Sequence, residues 1–131
     1  MIVLDTHAWI WWVSGSQPMS KKAKSVLQRG VKERTLRISS ISVWEVAQLA
    51  ARDRLELTMH VSDWVAKTES LPFVDFVPVD NRIAVRSTML PQPFHANPAD
   101  RIIVATALAL GAKLVTKDDK LRRYPHVDTV W

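Results

Sequence analysis

Apolar positions along the chain recur in two rhythms, one suited to strands and one to helices, and the two alternate. Ile2-Val3-Leu4 is a short β-branched run that reads as a buried parallel strand, and it stops at a carboxylate, Asp5. Residues 6–13 follow with helical character and carry Trp9, Trp11 and Trp12. Gly15 and Pro18 break the chain, and Ser20 caps a basic helix over residues 21–29 that is expected to end at Gly30. Thr35-Leu36-Arg37-Ile38 alternates as a strand does, and residues 42–51 form a third helix. A charged turn over 52–57 leads to a helix over 60–70 and a strand over 73–79. Asp80 caps a helix reaching Leu90, and Pro91, Pro93 and Pro98 bracket a loop. Residues 99–112 are apolar almost all round, as a buried helix requires. A strand over 113–116, a short basic helix over 118–123 and a last strand over 127–131 complete the pattern.

Strands that alternate with helices indicate βαβ units and a parallel sheet, hence an α/β fold. No internal repeat, low-complexity tract or linker interrupts the pattern. At 131 residues one domain, 1–131, is expected, and 47% hydrophobic content supplies a core. The absence of cysteine removes disulfides, thiolate zinc sites and cysteine nucleophiles, and suits a reducing cytoplasm. Asp5 interrupts the apolar start with no basic stretch before it, so no signal peptide is expected, and no apolar run nears the ~20 residues of a membrane span. The net charge of +5 favours an anionic partner, with nucleic acid first in line.

The acids change the picture further. Asp5, Glu45, Asp100 and Asp118 each fall at the start of a helix. Singly, each is more readily a cap: Asp5 for the first helix, Ser42 with Glu45 as a capping box, Asn97-Pro98-Ala99-Asp100 as another, and Thr116 with Asp119 as a third. Together they weigh differently. Asp5 and Asp118 come straight after apolar strands, and parallel strand ends converge on one rim. Carboxylates gathered there repel one another, so some take up protons or a cation sits among them. An oxygen-only donor set matches Mg²⁺ or Mn²⁺, and such ions suit phosphate chemistry.

Four blocks carry a resemblance. Met1-Ile2-Val3-Leu4-Asp5-Thr6-His7, Ser42-Val43-Trp44-Glu45-Val46-Ala47, His95-Ala96-Asn97-Pro98-Ala99-Asp100-Arg101 and Leu114-Val115-Thr116-Lys117-Asp118 resemble, in order and spacing, the signature blocks of PIN-domain nucleases. The nearest group is the VapC-type toxin ribonucleases of bacterial toxin–antitoxin pairs. The resemblance implies a three-layer α/β/α sandwich around a mainly parallel sheet of about five strands. It also implies a Mg²⁺- or Mn²⁺-dependent endoribonuclease with one or two ions, a homodimer, and a cognate antitoxin. Asp5, Glu45, Asp100 and Asp118 match the family's acidic positions, and Thr6 its small hydroxyl residue beside the first acid. Relatives commonly read Asp-Pro-Phe-Asp-Arg where this chain has Asn97-Pro98-Ala99-Asp100-Arg101, so position 97 brings no charge and position 99 no ring.

Accessory roles are open for Ser42, Asn97, Arg101 and for Asp119, the alternative to Asp118. Arg101 would contact substrate phosphate or pair with a rim carboxylate. Lys117, Lys120, Arg122 and Arg123 flank Asp118 and are the first choice for RNA backbone contacts. The tryptophans at 9, 11 and 12 fit core packing or a dimer face better than base stacking, and His7 and His95 fit structural roles better than proton transfer. Two alternatives share these features: an inactive PIN-like module that binds RNA or protein, and a metal-dependent phosphatase or phospho-receiver. The second would need one nucleophilic Asp, often in an Asp-x-Asp pair, and a rim Lys after a late strand; Asp5-Thr6-His7 lacks the second acid, which counts against it.

Overall fold

In the computed structural model, which describes residues 1–131, five strands form one parallel sheet in the order β3-β2-β1-β4-β5. They are β1 (Ile2–Leu4), β2 (Leu36–Ser39), β3 (Val74–Val77), β4 (Lys113–Val115) and β5 (Thr129–Val130). The chain moves outward from β1 through β2 to β3, then crosses back to β4 on the other side of β1. The connections therefore diverge at the carboxyl ends of β1 and β4, which makes that gap the switch point where α/β sheets hold ligands. Leu4 is paired in register with both Ile38 and Val115, so three strand ends finish side by side.

Side chains alternate across the sheet and fill two cores. Leu4, Leu36, Ile38, Val115 and Val130 point to one face. There they meet Trp9 of α1 (Thr6–Ser14), Leu27 of α2 (Lys21–Glu33), Val46 of α3 (Ser40–Ala51) and Trp64 of α4 (Val61–Glu69). Val3 and Leu114 point the other way, onto Ile83 of α5 (Asn81–Thr88), Ile103 and Val104 of α6 (Pro98–Leu110) and Leu121 of α7 (Asp119–Arg123). Helices thus cover both faces, giving the expected three layers. No helix is long and apolar enough to cross a membrane.

Several boundaries differ from the sequence expectation. The second helix does not stop at Gly30 but runs to Glu33 and ends on Arg34 in the left-handed region, φ 58°. Gly30 is required instead by close packing, since a Cβ there would lie 2.3 Å from Leu36 Cδ2. The third helix begins at Ser40, capped by Ser39, so Ser42 lies inside it and the proposed Ser42–Glu45 capping box does not form. Asp118, not Thr116, caps α7, accepting from the amides of Lys120 and Leu121. The outer strands β3 and β5 are shorter than the apolar runs that predict them. The caps expected at Ser20, Asp80 and Asn97 are present.

Candidate active site

Asp5 ends β1 and begins α1. Its extended backbone lets Oδ1 accept from the amide of Ala8 at 2.8 Å, so the capping reading is correct as far as it goes. The second carboxylate oxygen, Oδ2, accepts the hydroxyl proton of Thr116 at the end of β4. That threonine oxygen also accepts from the amide of Asp118, 3.1 Å away. One hydroxyl therefore ties the first acid to the loop that carries the fourth.

Thr6 does the same for the second acid. Its Oγ1 lies 2.5 Å from Glu45 Oε1 and 2.9 Å from Ser42 Oγ. A hydroxyl holds one proton, so Thr6 donates to the carboxylate and Ser42 donates to Thr6. Ser42 is fully buried and acts on the rim through this bond, not through a cap. Asp100 stands in the first turn of α6, where its amide is capped by Asn97 Oδ1 at 3.1 Å. Its carboxylate meets His95 Nε2 at 2.7 Å.

Asp5, Thr6, Glu45, Asn97, Asp100 and Asp118 come together in one cleft of about 430 Å³ at the switch point, with Ile103 as its apolar floor. His7, Trp11 and Lys117 complete the wall, and the Lys117 ammonium stands 5.8 Å from the centre of the Trp11 ring. Asp5 is only 7% exposed, and burial pushes its carboxyl up to about 6 from 3.8. The bonds from Thr116 and Ala8 and the nearby His7 pull the other way, while the Asp100 charge adds to the rise. Glu45 is raised as well, first by burial and also by Asp100, against the bond from Thr6.

The only ion pair made by a Lys or Arg is Arg37–Asp75, and Asp100 meets the His95 imidazole, so no Lys or Arg is paired with any acid of the cleft. No three acidic or imidazole groups are drawn into a ready-made metal cage. Partly desolvated carboxylates without cationic partners, open to water on one side, nonetheless fit a hard divalent cation that keeps several waters.

Other sequence candidates lie elsewhere. Arg101 turns away from the acids and donates to the carbonyls of His95, Phe94 and Ser87, bracing the proline loop over α6. Asp119 faces a different cleft, beside Arg122 and Arg123. Lys120 and Arg123 line a cleft with His95 and Tyr124, so of the four basic candidates only Lys117 reaches the acids. Trp9 is core, with its indole nitrogen 3.2 Å from Thr68 Oγ1, and Trp12 packs edge-on against Phe73. The sequence reading missed Thr116 as a partner of Asp5. The only signal in the sequence was its place directly after an apolar strand run, and the pairing of that strand with β1 is a feature of the fold.

Residues 2–127 match the PIN domain. The chain is 35% identical over 132 residues to "Ribonuclease VapC22" of Mycobacterium tuberculosis (strain ATCC 25618 / H37Rv), covering 99% of this chain and 98% of that one. Among solved structures, it superposes on VapBC2 from Rickettsia felis bound to a promoter DNA fragment, with a TM-score of 0.73, 18% identity and coverage of 99% and 98%. FitAcB from Neisseria gonorrhoeae matches with a TM-score of 0.67, 20% identity and coverage of 100% and 97%. At these identities the two structural matches speak for the fold alone.

Proposed function

The chain belongs to the PIN-domain family, and from that premise we propose that it is a metal-dependent endoribonuclease, the toxin of a toxin–antitoxin pair. The observation that carries the reading is the meeting of Asp5, Glu45, Asp100 and Asp118 in one cleft with no Lys or Arg to neutralise them, in a chain aligned end to end with a named ribonuclease.

These acids would hold one or two Mg²⁺ or Mn²⁺ ions. A bound ion would lower the pKa of an attacking water and offset charge on the leaving oxygen. Thr116 and Thr6 fix the orientation of Asp5 and Glu45 from below, so the acids meet a cation with little reorganisation. Lys117, the cation of the cleft wall, is placed to meet substrate phosphate. This route needs no 2′-hydroxyl nucleophile and leaves 5′-phosphate and 3′-hydroxyl ends. A cognate antitoxin is the expected partner, given the VapBC complexes among the structural neighbours. A homodimer is the expected state, and the cytoplasm, where the substrate is made, the expected compartment.

Labelled RNA and p-nitrophenyl phosphate, each incubated with EDTA, Mg²⁺ or Mn²⁺, test the reading. RNA should be cut only with metal, and the phosphate ester should survive. Full cleavage in EDTA with 2′,3′-cyclic phosphate ends would overturn the metal route. Ester hydrolysis without RNA cleavage would favour a phosphotransfer enzyme.

A further inference from the structure

Trp44 precedes Glu45 on α3 and leaves 54% of its surface in solvent. Tryptophan is usually well buried. Here no other ring stacks on the indole, and no cation covers it. It stands between two shallow clefts. One, of about 120 Å³, reaches Gln48, Arg52 and Arg54; the other, of about 470 Å³, reaches Asn97 and Ala99. Glu45 is in the wall of both, and also in the wall of the acid cleft, so the surface around Trp44 is continuous with the proposed site of cutting.

Trp44, Gln48 and Arg52 recur every four residues, which puts them along one side of α3 and its end. Eight residues of helix span about 12 Å. Nucleotides of a duplex strand are spaced by roughly 3.4 Å, so this stripe is longer than one nucleotide. Arg52 and Arg54 are exposed and make no ion pair. A strand whose scissile phosphate meets the acids must carry its flanking nucleotides over neighbouring surface. That surface needs a flat apolar face for a base and cations beyond the acidic rim, and this stripe supplies both.

We propose that Trp44, Gln48, Arg52 and Arg54 form a subsite for a nucleotide that flanks the cut, with an unpaired base stacked on the Trp44 indole and a phosphate held by the arginines. The proposal rests on the endoribonuclease reading. It requires single-stranded or looped RNA, because a base within a duplex cannot lie on the ring. A second copy of the chain is the poorer occupant, since a two-fold contact centred on this face would bring arginines of both copies together.

The test is binding of labelled single-stranded RNA of about twelve nucleotides, and of the same sequence in a duplex, to metal-free protein in EDTA. Wild type, Trp44→Ala, Trp44→Phe and an Arg52→Ala/Arg54→Ala double variant are compared, with melting curves to check folding and sedimentation to check mass. Trp44→Ala should lose about 5- to 150-fold affinity for single strands, with its salt dependence unchanged. Trp44→Phe should keep most of the affinity, and the arginine variant should flatten the salt slope. Unaltered affinity in a folded Trp44→Ala protein overturns the subsite. A change of mass without loss of affinity overturns it too, and assigns Trp44 to a contact between copies. A wild type that binds neither RNA in EDTA overturns the subsite as well, and only if it also leaves RNA uncut with Mn²⁺ does the endoribonuclease reading fall with it.

Discussion

Thr116, at the end of β4, donates its hydroxyl proton to the carboxylate of Asp5, at the end of β1 and 111 positions away. The same oxygen accepts from the amide of Asp118. Thr116→Val keeps the shape and the strand fit but removes both bonds. A bond to a charged group and a buried amide acceptor are lost together, so the metal-free protein should lose about 1–3 kcal/mol in urea unfolding. Thr116→Ser keeps the hydroxyl and should lose far less. Equal stability for the valine and serine variants would show that the bond contributes nothing.

Burial of Asp5 gives the metal-free protein an inverted pH response. Its carboxyl rises from 3.8 to about 6 on folding, so the folded state binds its proton more tightly. The resulting stability is present below about pH 4 and is lost as pH rises through 6, with a total of about 3 kcal/mol. Asp5→Asn keeps a cap for Ala8 and cannot titrate. Subtracting its stability curve in EDTA from that of wild type should leave a fall between pH 4 and 6. Added Mn²⁺ should reverse the trend, because the cation needs the ionised form. A flat difference curve would mean that Asp5 is solvated in the folded protein.

The order of elements was legible because each is announced by a change of period, from Ile2-Val3-Leu4 to the helical run after Thr6, and again from the buried helix before Gly111 to Leu114-Val115. Asp5 and Asp118 were legible because they sit where strands end and helices begin, Asp100 because it falls in the first turn of a capped helix, and Glu45, which lies in the second turn of α3, only through its sequence block. Their hydroxyl partners were not. Thr6 with Glu45 and Thr116 with Asp5 are joined only by the order of strands in the sheet, and no local pattern encodes that order. The basic run after Asp118 is divided among different clefts, which its sequence does not announce. Lys117 precedes the helix, and successive helical residues point about 100° apart, so Arg122 does not share a face with Lys120 and Arg123.

That separation makes the charges distinguishable. Lys117 lines the acid cleft, whereas Arg122 faces another cleft beside Asp119. Lys117→Glu should therefore reduce RNA cleavage at least about tenfold and shift its metal requirement, because a new carboxylate enters the cluster. Arg122→Glu should weaken RNA binding modestly and flatten its salt dependence by about one charge. Rates at several salt concentrations decide the matter. A larger loss for Arg122→Glu would move the strand path to the far side of α7.

Gly30 tests the packing that holds β2 in place. In an open helix, alanine in place of glycine would gain about 1 kcal/mol. Here the new methyl would meet Leu36, which is fully buried and cannot retreat. Gly30→Ala should instead destabilise by about 1–3 kcal/mol. Adding Leu36→Ala should make the alanine at 30 harmless, though the double variant still bears the cost of the leucine cavity. Additive losses in thermal melts would show that the two positions do not touch.

Asp100 separates the cap reading from the ligand reading. Its amide is already capped by Asn97, and its carboxylate faces His95 instead of the helix end. Asp100→Asn keeps an oxygen that can accept from the imidazole, but removes a charge. Two effects oppose each other in the metal-free protein. Loss of an acid in the first turn of α6 costs about 0.3–1 kcal/mol through the helix dipole. Loss of its repulsion towards Asp5 and Glu45, which the Asp100 charge raises, returns stability wherever those two are ionised. Once both are ionised, the second effect acts on two partly desolvated acids at once, so the EDTA melting temperature should stay level or rise. Mn²⁺ should then stabilise the variant less than wild type, since that increment follows metal affinity. RNA cleavage should fall on the order of 10²-fold or more, the scale lost when one charge-stabilising group is removed. A variant that is less stable in EDTA, gains as much from Mn²⁺ as wild type and still cuts RNA would reduce Asp100 to a helix-end charge. The candidate site would then shrink to Asp5, Glu45 and Asp118.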